Sequence, residues 1–221
     1  MTKFSYSIYD SKYLRNRINH SLARLFNQYL MSKNNTKKIL IAIGSNLSND
    51  LQESYNLVSD AIKTFNSETI KDIKISKFYE TPAFPPGSGP NFINCVISGD
   101  TSLLPKELLN QLHLIEEDFG RTRIKRWGQR TLDIDLIDFD NIIFPNNTYV
   151  NEWLNMPLDM QKVKIPEQLI LPHPRIQDRP FVLIPLIDVA PHWKHPLLNE
   201  TPQEMLNKLN PELSIGISQF A

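Results

Sequence analysis

The chain has almost no cysteine, no net charge and no long apolar run, and each scarcity narrows what it can be. Its single cysteine, Cys95, excludes an internal disulfide and any zinc site built from several thiolates. A lone thiol of this kind is expected to act as a small core residue, and it suits a reducing compartment. The 24 basic residues balance 24 acidic ones, for a formal net charge of zero. Bulk electrostatics therefore gives no affinity for nucleic acid or a membrane surface, and any polyanion must be met by local clustering. No apolar run approaches the ~20 residues of a membrane helix, and no signal-peptide core opens the chain. The expectation is a soluble, cytoplasmic protein with neither nucleic-acid nor membrane partners. With 41 % of its 221 residues apolar, the chain can bury a core and is not globally disordered.

The densest chemical signal runs from Gly120 to Asp140, GRTRIKRWGQRTLDIDLIDFD. Its first half carries Arg121, Arg123, Lys125, Arg126 and Arg130; its second carries Asp133, Asp135, Asp138 and Asp140. Residues 131–139 read as a β-strand, which sends alternate side chains to opposite faces. Asp133, Asp135 and Ile137 then project one way, and Leu132, Ile134 and Leu136 the other. The rise per residue separates the two carboxylates by about 7 Å. Held unpaired on one face, they would repel. A hard divalent cation removes that conflict, because Mg²⁺ takes carboxylate oxygens, keeps waters and shares its remaining positions with substrate phosphates. Two such ions can brace both sides of an in-line phosphoryl displacement. The arginines suit the same chemistry, since guanidinium forks neutralise non-bridging phosphate oxygens. Trp127 adds a flat aromatic face among them. The plain alternative is that Arg and Asp neutralise each other on a solvated edge strand.

Residues 1–37 stand apart. Asp10 is their only acid, against Lys3, Lys12, Arg15, Arg17, Arg24, Lys33 and Lys37. Leu14, Ile18, Leu22, Leu25 and Tyr29 recur at helical spacing, so the segment reads as a basic amphipathic helix closed by a polar linker at 32–36. Such a helix can dock on the domain or a second subunit, serve as a targeting presequence, or lie on a membrane surface. The sequence leaves these open.

From Lys38 the chain reads as a strand (38–43), a Gly44-Ser45-Asn46 turn and a helix capped by Asp50, with Leu51, Tyr55, Val58, Ile62 and Phe65 on one stripe. A second strand covers 70–80. Residues 81–90 then hold four prolines and two glycines, a loop that either covers a ligand or merely joins strands. A third strand, 92–98, puts Ile93, Cys95 and Ile97 on one face and Phe92, Asn94 and Val96 on the other. Asn94 is then either a solvated amide or one that reads a ligand. Pro105 opens a second helix with Leu108, Leu112, Ile115 and Phe119 buried, and Gly120 ends it. His113 and Glu116 share a face of this helix, as a surface ion pair or as part of a site.

With the strand at 131–139, the order is β-α-β-β-α-β. That is the ferredoxin-like sandwich of the α+β class, an antiparallel sheet with both helices on one face, here with an N-terminal helical extension. Residues 140–170 read as irregular, 171–175 as extended, and 178–186 as a short helix with prolines near its ends. Thr201-Pro202-Gln203-Glu204 reads as the capped start of a last helix, to about Asn210.

The string Arg126 to Ile137, RWGQRTLDIDLI, closely resembles the signature of the 6-hydroxymethyl-7,8-dihydropterin pyrophosphokinase family of folate biosynthesis. Separate support comes from Ile43-Gly44-Ser45-Asn46-Leu47, Phe78-Tyr79-Glu80-Thr81-Pro82, Asn91-Phe92-Ile93-Asn94 and Leu171-Pro172-His173-Pro174-Arg175. The resemblance spans about 38–196. It implies a catalytic domain at 38–221 behind the extension at 1–37, with ATP donating its β,γ-pyrophosphoryl group to the pterin's hydroxymethyl oxygen and leaving AMP. It further implies that Asp133 and Asp135 bind two Mg²⁺ ions and that Arg121 and Arg130 stabilise the transferred charge. Arg123 and Arg126 would contact ATP or a closing loop, and His113, Glu116, His173 and Arg179 match nucleotide-binding positions. Phe92 and Phe181 would sandwich the pterin, Asn94 would read its edge, Thr81, Pro82 and Phe84 would line the pocket, and Trp127 would close it.

The sequence departs from the family pattern in places. Position 113 is His where enterobacterial members have Gln, and Pro174 stands where some members have an aromatic. The connection at 146–166 is longer than in compact members. The minimal enzyme has no counterpart of residues 1–37, and the chain is too short for a fused dihydropteroate synthase. The implied partners are the two small-molecule substrates, with a monomer or weak homodimer expected and a neighbouring folate-pathway enzyme as a candidate partner. Two rivals share parts of the signal. Another Mg²⁺-dependent D-x-D nucleotidyl-, glycosyl- or phosphoryltransferase would use the same metal logic. An RNA-binding module on this fold would need an exposed aromatic platform on a basic sheet face, which the carboxylates oppose.

Overall fold

The central strand is β1 (Lys37–Ser45), flanked antiparallel by β4 (Phe92–Thr101) on one side and β5 (Asp133–Phe139) on the other. β2 (Lys71–Ile75) and β3 (Tyr79–Thr81) pair with successive parts of β4, and the short β6 (Ser218–Gln219) extends β3. The computed structural model describes residues 36–65, 68–83, 89–120 and 131–221. The chain divides into two units, Met1–Thr36 and Lys37–Ala221. The amphipathic helix expected in the first lies outside the described residues; the sheet and its helices belong to the second. Among the described residues no helix is long and apolar enough to cross a membrane.

Strand alternation sorts the sheet residues onto two faces. Ile39, Ile41, Ile43, Cys95, Ile97, Ile134 and Leu136 pack with helices α1 (Leu51–Thr64) and α2 (Pro105–Asp118). Leu40, Val96 and Ile137 face the other way, under α5 (Pro180–Val189) and α6 (Pro202–Lys208). This is the expected βαββαβ sandwich, with the C-terminal helices covering part of the second face. The expected caps also form. Asp50 accepts from Gln52 N at 2.9 Å, and Thr201 and Glu204 make a reciprocal capping box, which satisfies amides that the helix leaves unpaired.

Several elements differ from the sequence reading. The single strand expected at 70–80 is two strands, because Ser76 interrupts it. The Ser76 hydroxyl accepts from Val96 N at 2.9 Å, replacing a backbone rung with a side chain. The turn expected at 44–46 is delayed: Gly44 and Ser45 remain in β1, where pairing to β4, and at Gly44 also to β5, outweighs the local turn signal. The stretch 140–170 is not wholly irregular. It holds α3 (Asn147–Leu154) and α4 (Leu158–Val163). Asn146 caps α3 by accepting from Tyr149 N at 2.9 Å, and Val150 and Trp153 bury against Ile170 in a small third core. Pro185 lies inside α5, buried, rather than near an end. Burial of this helix, apolar except for Asp188, overrides the propensity cost of proline.

His195 is fully buried, and its Nδ1 accepts from Leu197 N and Leu198 N at 3.3 and 3.2 Å. Burial pulls its pKa down to about 4, against a small opposing effect of Glu200. The folded value lies below the unfolded one, so this contribution to stability is complete above about pH 6.5 and is lost as pH falls towards 4. Asp138 has the opposite sign: burial raises its pKa to about 6. The His195 effect is therefore read as a difference between variants. We expect His195→Gln to be less stable than wild type at pH 7, with the gap narrowing by on the order of 1–2 kcal/mol at pH 5, in urea unfolding at both pH values.

Candidate active site

The part of the second sheet face not covered by α5 and α6 forms the wall of a cavity of about 290 Å³. That is close to the lower end of small-molecule sites, which run about 300–1,000 Å³. β5 contributes Asp133 and Asp135, β4 contributes Phe92 and Asn94, and β3 contributes Thr81. Arg179 and Phe181 come from the start of α5, opposite the sheet.

The floor is made of small residues, Ala42 and Gly44. Gly44 lies between Asn94 on β4 and Asp133 on β5. A Cβ at Gly44 would collide with Asn94 Oδ1, so glycine here leaves space for that amide. Asn94 Nδ2 donates to the buried Thr81 Oγ1 at 2.7 Å, which fixes the amide's orientation and directs the rest of it to the cavity.

At the β5 end the charges converge. Arg179 donates from Nη1 to Asp135 Oδ2 at 3.0 Å, and His173 Nε2 lies 3.9 Å from the same oxygen. With side chains 21 % and 34 % exposed, the Arg179–Asp135 pair is worth on the order of 1 kcal/mol or less. A phosphate or metal can therefore compete with it. His173 is held from both sides: its backbone N–H donates to Ile137 O at 2.8 Å, and its Nδ1 accepts from Arg175 N at 3.2 Å. The imidazole proton then sits on Nε2, towards Asp135. Burial first, then Arg179, pushes the His173 pKa down to about 4, with Asp135 opposing and Arg175 adding to the fall. The imidazole is neutral at neutral pH. Arg175 lines the cavity with a buried Nε–H that has no hydrogen-bond partner among the described residues; Asp178 Oδ2, at 3.9 Å, is too far.

Eight of the expected site residues thus line one cavity: Asp133, Asp135, Thr81, Pro82, Phe92, Asn94, Arg179 and Phe181. His173 flanks it through Asp135. His113 and Glu116 do not line it. They lie on α2, on the opposite face, and the buried Glu116 carboxylate accepts from Ile134 N at 2.7 Å, tying α2 to β5. Arg121, Arg123, Arg126, Trp127, Arg130 and Phe84 lie outside the described residues. Sequence reasoning missed four contributions: the small floor, Arg175, Asp178 and a C-terminal segment with Glu212, Leu213, Ile215 and Ile217. Gly44 and Arg175 stood inside quoted motifs without a role. The C-terminal segment has no periodic signal that could have pointed to it.

The two carboxylates suit Mg²⁺. They are hard oxygen donors on one strand face, and the described residues contain no cluster of three or more His, Cys, Asp or Glu that would cage a metal without a substrate. A metal that shares its coordination with phosphates needs only such a pair.

Residues 40–191 match the family model for 7,8-dihydro-6-hydroxymethylpterin-pyrophosphokinase (HPPK). The chain belongs to the HPPK family. It is 29 % identical to the 2-amino-4-hydroxy-6-hydroxymethyldihydropteridine pyrophosphokinase of Haemophilus influenzae, over 77 % of this chain and 97 % of that one. It is 32 % identical to the enzyme of that name from Pseudomonas aeruginosa, over 72 % and 85 %. It is also 34 % identical to the folic acid synthesis protein fol1 of Pneumocystis carinii, but spans only 20 % of that longer chain. In fold it is similar to the wild-type HPPK-DHPS of Plasmodium falciparum with pteroate, at a TM-score of 0.55 and 16 % identity, covering 82 % of this chain and 44 % of that one. HPPK chemistry is transfer of pyrophosphate from ATP to hydroxymethyl-dihydropterin in folate synthesis, and this chain is a transferase of that class.

The Gly44 contact gives a direct test of the floor. Gly44→Ala should displace the Asn94 amide and weaken pterin binding about tenfold or more, in line with an overpacking cost of ~1–3 kcal/mol. Fluorescence titration of the pterin checks this, with thermal unfolding run alongside.

Proposed function

We propose that the cavity holds the pterin ring between Phe92 and Phe181, with Asn94 on its edge, and the ATP phosphates at the Asp133–Asp135 end. The observation that carries this reading is that one cavity joins an aromatic-and-amide slot on β4 and α5 to the paired carboxylates of β5 and the guanidiniums of Arg175 and Arg179. The slot suits a flat heterocycle with donor and acceptor edges, and the charged end suits a polyphosphate with its metal.

In the reaction the hydroxymethyl oxygen attacks the β-phosphorus of ATP. The bond from that phosphorus to the α,β-bridging oxygen breaks, AMP leaves and the hydroxyl proton is released. Asp133 and Asp135 would hold two Mg²⁺ ions, which when bound supply charge neutralisation to the phosphate oxygens. Arg179 would exchange its contact with Asp135 for a phosphate oxygen, and the unpaired Nε–H of Arg175 is placed to donate similarly. Arg121 and Arg130 are assigned to the transferred charge, and Arg123, Arg126, His113 and Glu116 to the nucleotide, on the family resemblance. Phe84 and Trp127 are assigned to pocket closure on the same ground. Among the described residues no side chain of the cavity is a strong general base towards an alcohol, so positioning and electrostatics carry the rate.

Residues 38–221 would be the catalytic domain and 1–37 an extension. We place the protein in the cytoplasm, as a monomer or weak homodimer; the buried, unpaired Cys95 suits a reducing compartment. A folate-pathway enzyme is the partner to test first, since a relative from Arabidopsis thaliana carries the name folate synthesis bifunctional protein.

Product analysis tests the reaction. With ATP, Mg²⁺ and hydroxymethyl-dihydropterin, AMP and the pterin pyrophosphate are expected; ADP or free pyrophosphate as the co-product would point to a different transferase. Asp135→Ala should lower AMP formation about a thousandfold or more, while pterin binding changes little. Full turnover by that variant would sink the metal assignment.

A further inference from the structure

Residues 211–217 contribute to the cavity, yet they lie beyond the 40–191 that match the family model. The segment is tied down at both ends. Asn210 Oδ1 accepts from Glu212 N at 3.1 Å to start a short 3₁₀ turn at Pro211–Ser214. Beyond it, Ser218 and Gln219 pair with Glu80 and Tyr79 as β6. Phe220 N donates to Phe78 O at 2.7 Å, Phe78 N donates to Ala221 O at 2.8 Å, and the Phe220 ring lies 5.7 Å from that of Tyr55. Between these anchors the chain presses on Pro82. Gly216 has φ +81°, and a Cβ there would come within 2.9 Å of Pro82 Cγ. Leu213 and Ile215 line the cavity, yet they are 46 % and 71 % exposed. Single exposed apolar residues are ordinary. Two of them, close together at the mouth of one cavity, provide an apolar surface that a bound flat ring would cover.

We propose that this strap is a wall of the pterin slot, and that Leu213 and Ile215 close on the ring and set how tightly it is held. The inference rests on the pterin reading of the cavity given above. The strand order places the strap at the pterin end rather than the phosphate end. β6 and β3 lie at one edge of the sheet and β5 at the other, with β1 and β4 between them. Three strand spacings from β3 to β5 amount to about 14 Å. Glu212, the charged side chain that the strap adds to the cavity, is an anion, which suits a neutral heterocycle better than a triphosphate. Leu213 and Ile215 are thus positioning residues for one substrate.

The test compares wild type with Ile215→Ser, Leu213→Ser and the conservative Ile215→Leu in the full chain. Dissociation constants for hydroxymethyl-dihydropterin are measured by its fluorescence in the presence of a non-hydrolysable ATP analogue and Mg²⁺. Those for the analogue, thermal unfolding, and KM and kcat are measured in parallel. Each Ser variant should weaken pterin binding about five- to twentyfold, from the lost apolar contact. Affinity for the analogue, kcat at saturating pterin and the melting temperature should stay close to wild type, and Ile215→Leu should restore most of the loss. Unchanged pterin affinity in both Ser variants, with wild type binding normally, would overturn the strap's role alone. Equal weakening of both substrates with a lowered melting temperature would overturn it in favour of a purely structural role. If wild type itself failed to bind the pterin, the reading of the cavity would fall, and the strap's role with it.

Discussion

The two-residue period of β5 is the constraint on which the site depends. Ile134 and Leu136 are buried in the helix-packed core, and Leu132 just before the strand is fully buried with them. Burial of such side chains is worth roughly 1.5–3 kcal/mol each. Their placement leaves Asp133 and Asp135 no choice but the opposite face. A slip of one residue would exchange the sets, exposing the aliphatics and driving two carboxylates into a dry core at a cost of several kcal/mol each. On the other side of β1, β4 is held in the same way, with Cys95 and Ile97 buried on the helix face and Asn94 facing the cavity beside Gly44. The placement of the two carboxylates and of the Asn94 amide is therefore a product of core packing on the far side of the sheet.

The second face divides its work. Where Leu40, Val96 and Ile137 project, α5 and α6 seal it as a second core. Where the residues become Ala42, Gly44, Asn94 and Asp135, the sheet lines the cavity. α5 serves both halves. Val182, Leu183 and Leu186 bury in the core, while Phe181 and the preceding Arg179 turn to the cavity. The buried helix thus sets the distance between the aromatic of α5 and that of β4.

Much of this was readable from periodicity. The D-x-D face of β5, the Phe92/Asn94 face of β4 and the caps of α1 and α6 follow from local rules of alternation and hydrogen bonding, which need no tertiary information. Other features were not readable, each for a physical reason. The Gly44-Ser45 pair reads as a turn in isolation, and only pairing to neighbouring strands keeps it in β1. Ser76 looks like any strand serine until its hydroxyl is seen accepting from Val96 N. In α3 only Val150 and Trp153 are buried, in an eight-residue helix with prolines nearby, too short for a clear period. That the Glu116 carboxylate accepts from Ile134 N could not be read either, because nothing local brings residue 116 to β5. The C-terminal wall depends on a strand pairing of residues 218–219 with 79–80, a contact between segments about 140 residues apart that no local pattern encodes.

The proposed reading has β5 present Asp133 and Asp135 to the phosphates, with Phe92 and Phe181 holding the ring at the other end of the same cavity. A crystal structure of the protein with hydroxymethyl-dihydropterin, a non-hydrolysable ATP analogue and Mn²⁺ in place of Mg²⁺ addresses it, because anomalous scattering locates the metal directly. We expect anomalous peaks within coordinating distance of both carboxylates and of the analogue's phosphates, Arg179 moved from Asp135 onto the phosphates, and the pterin between the two phenylalanines. Metal bound away from Asp133 and Asp135, or a pterin seated outside the Phe92–Phe181 slot, would contradict it.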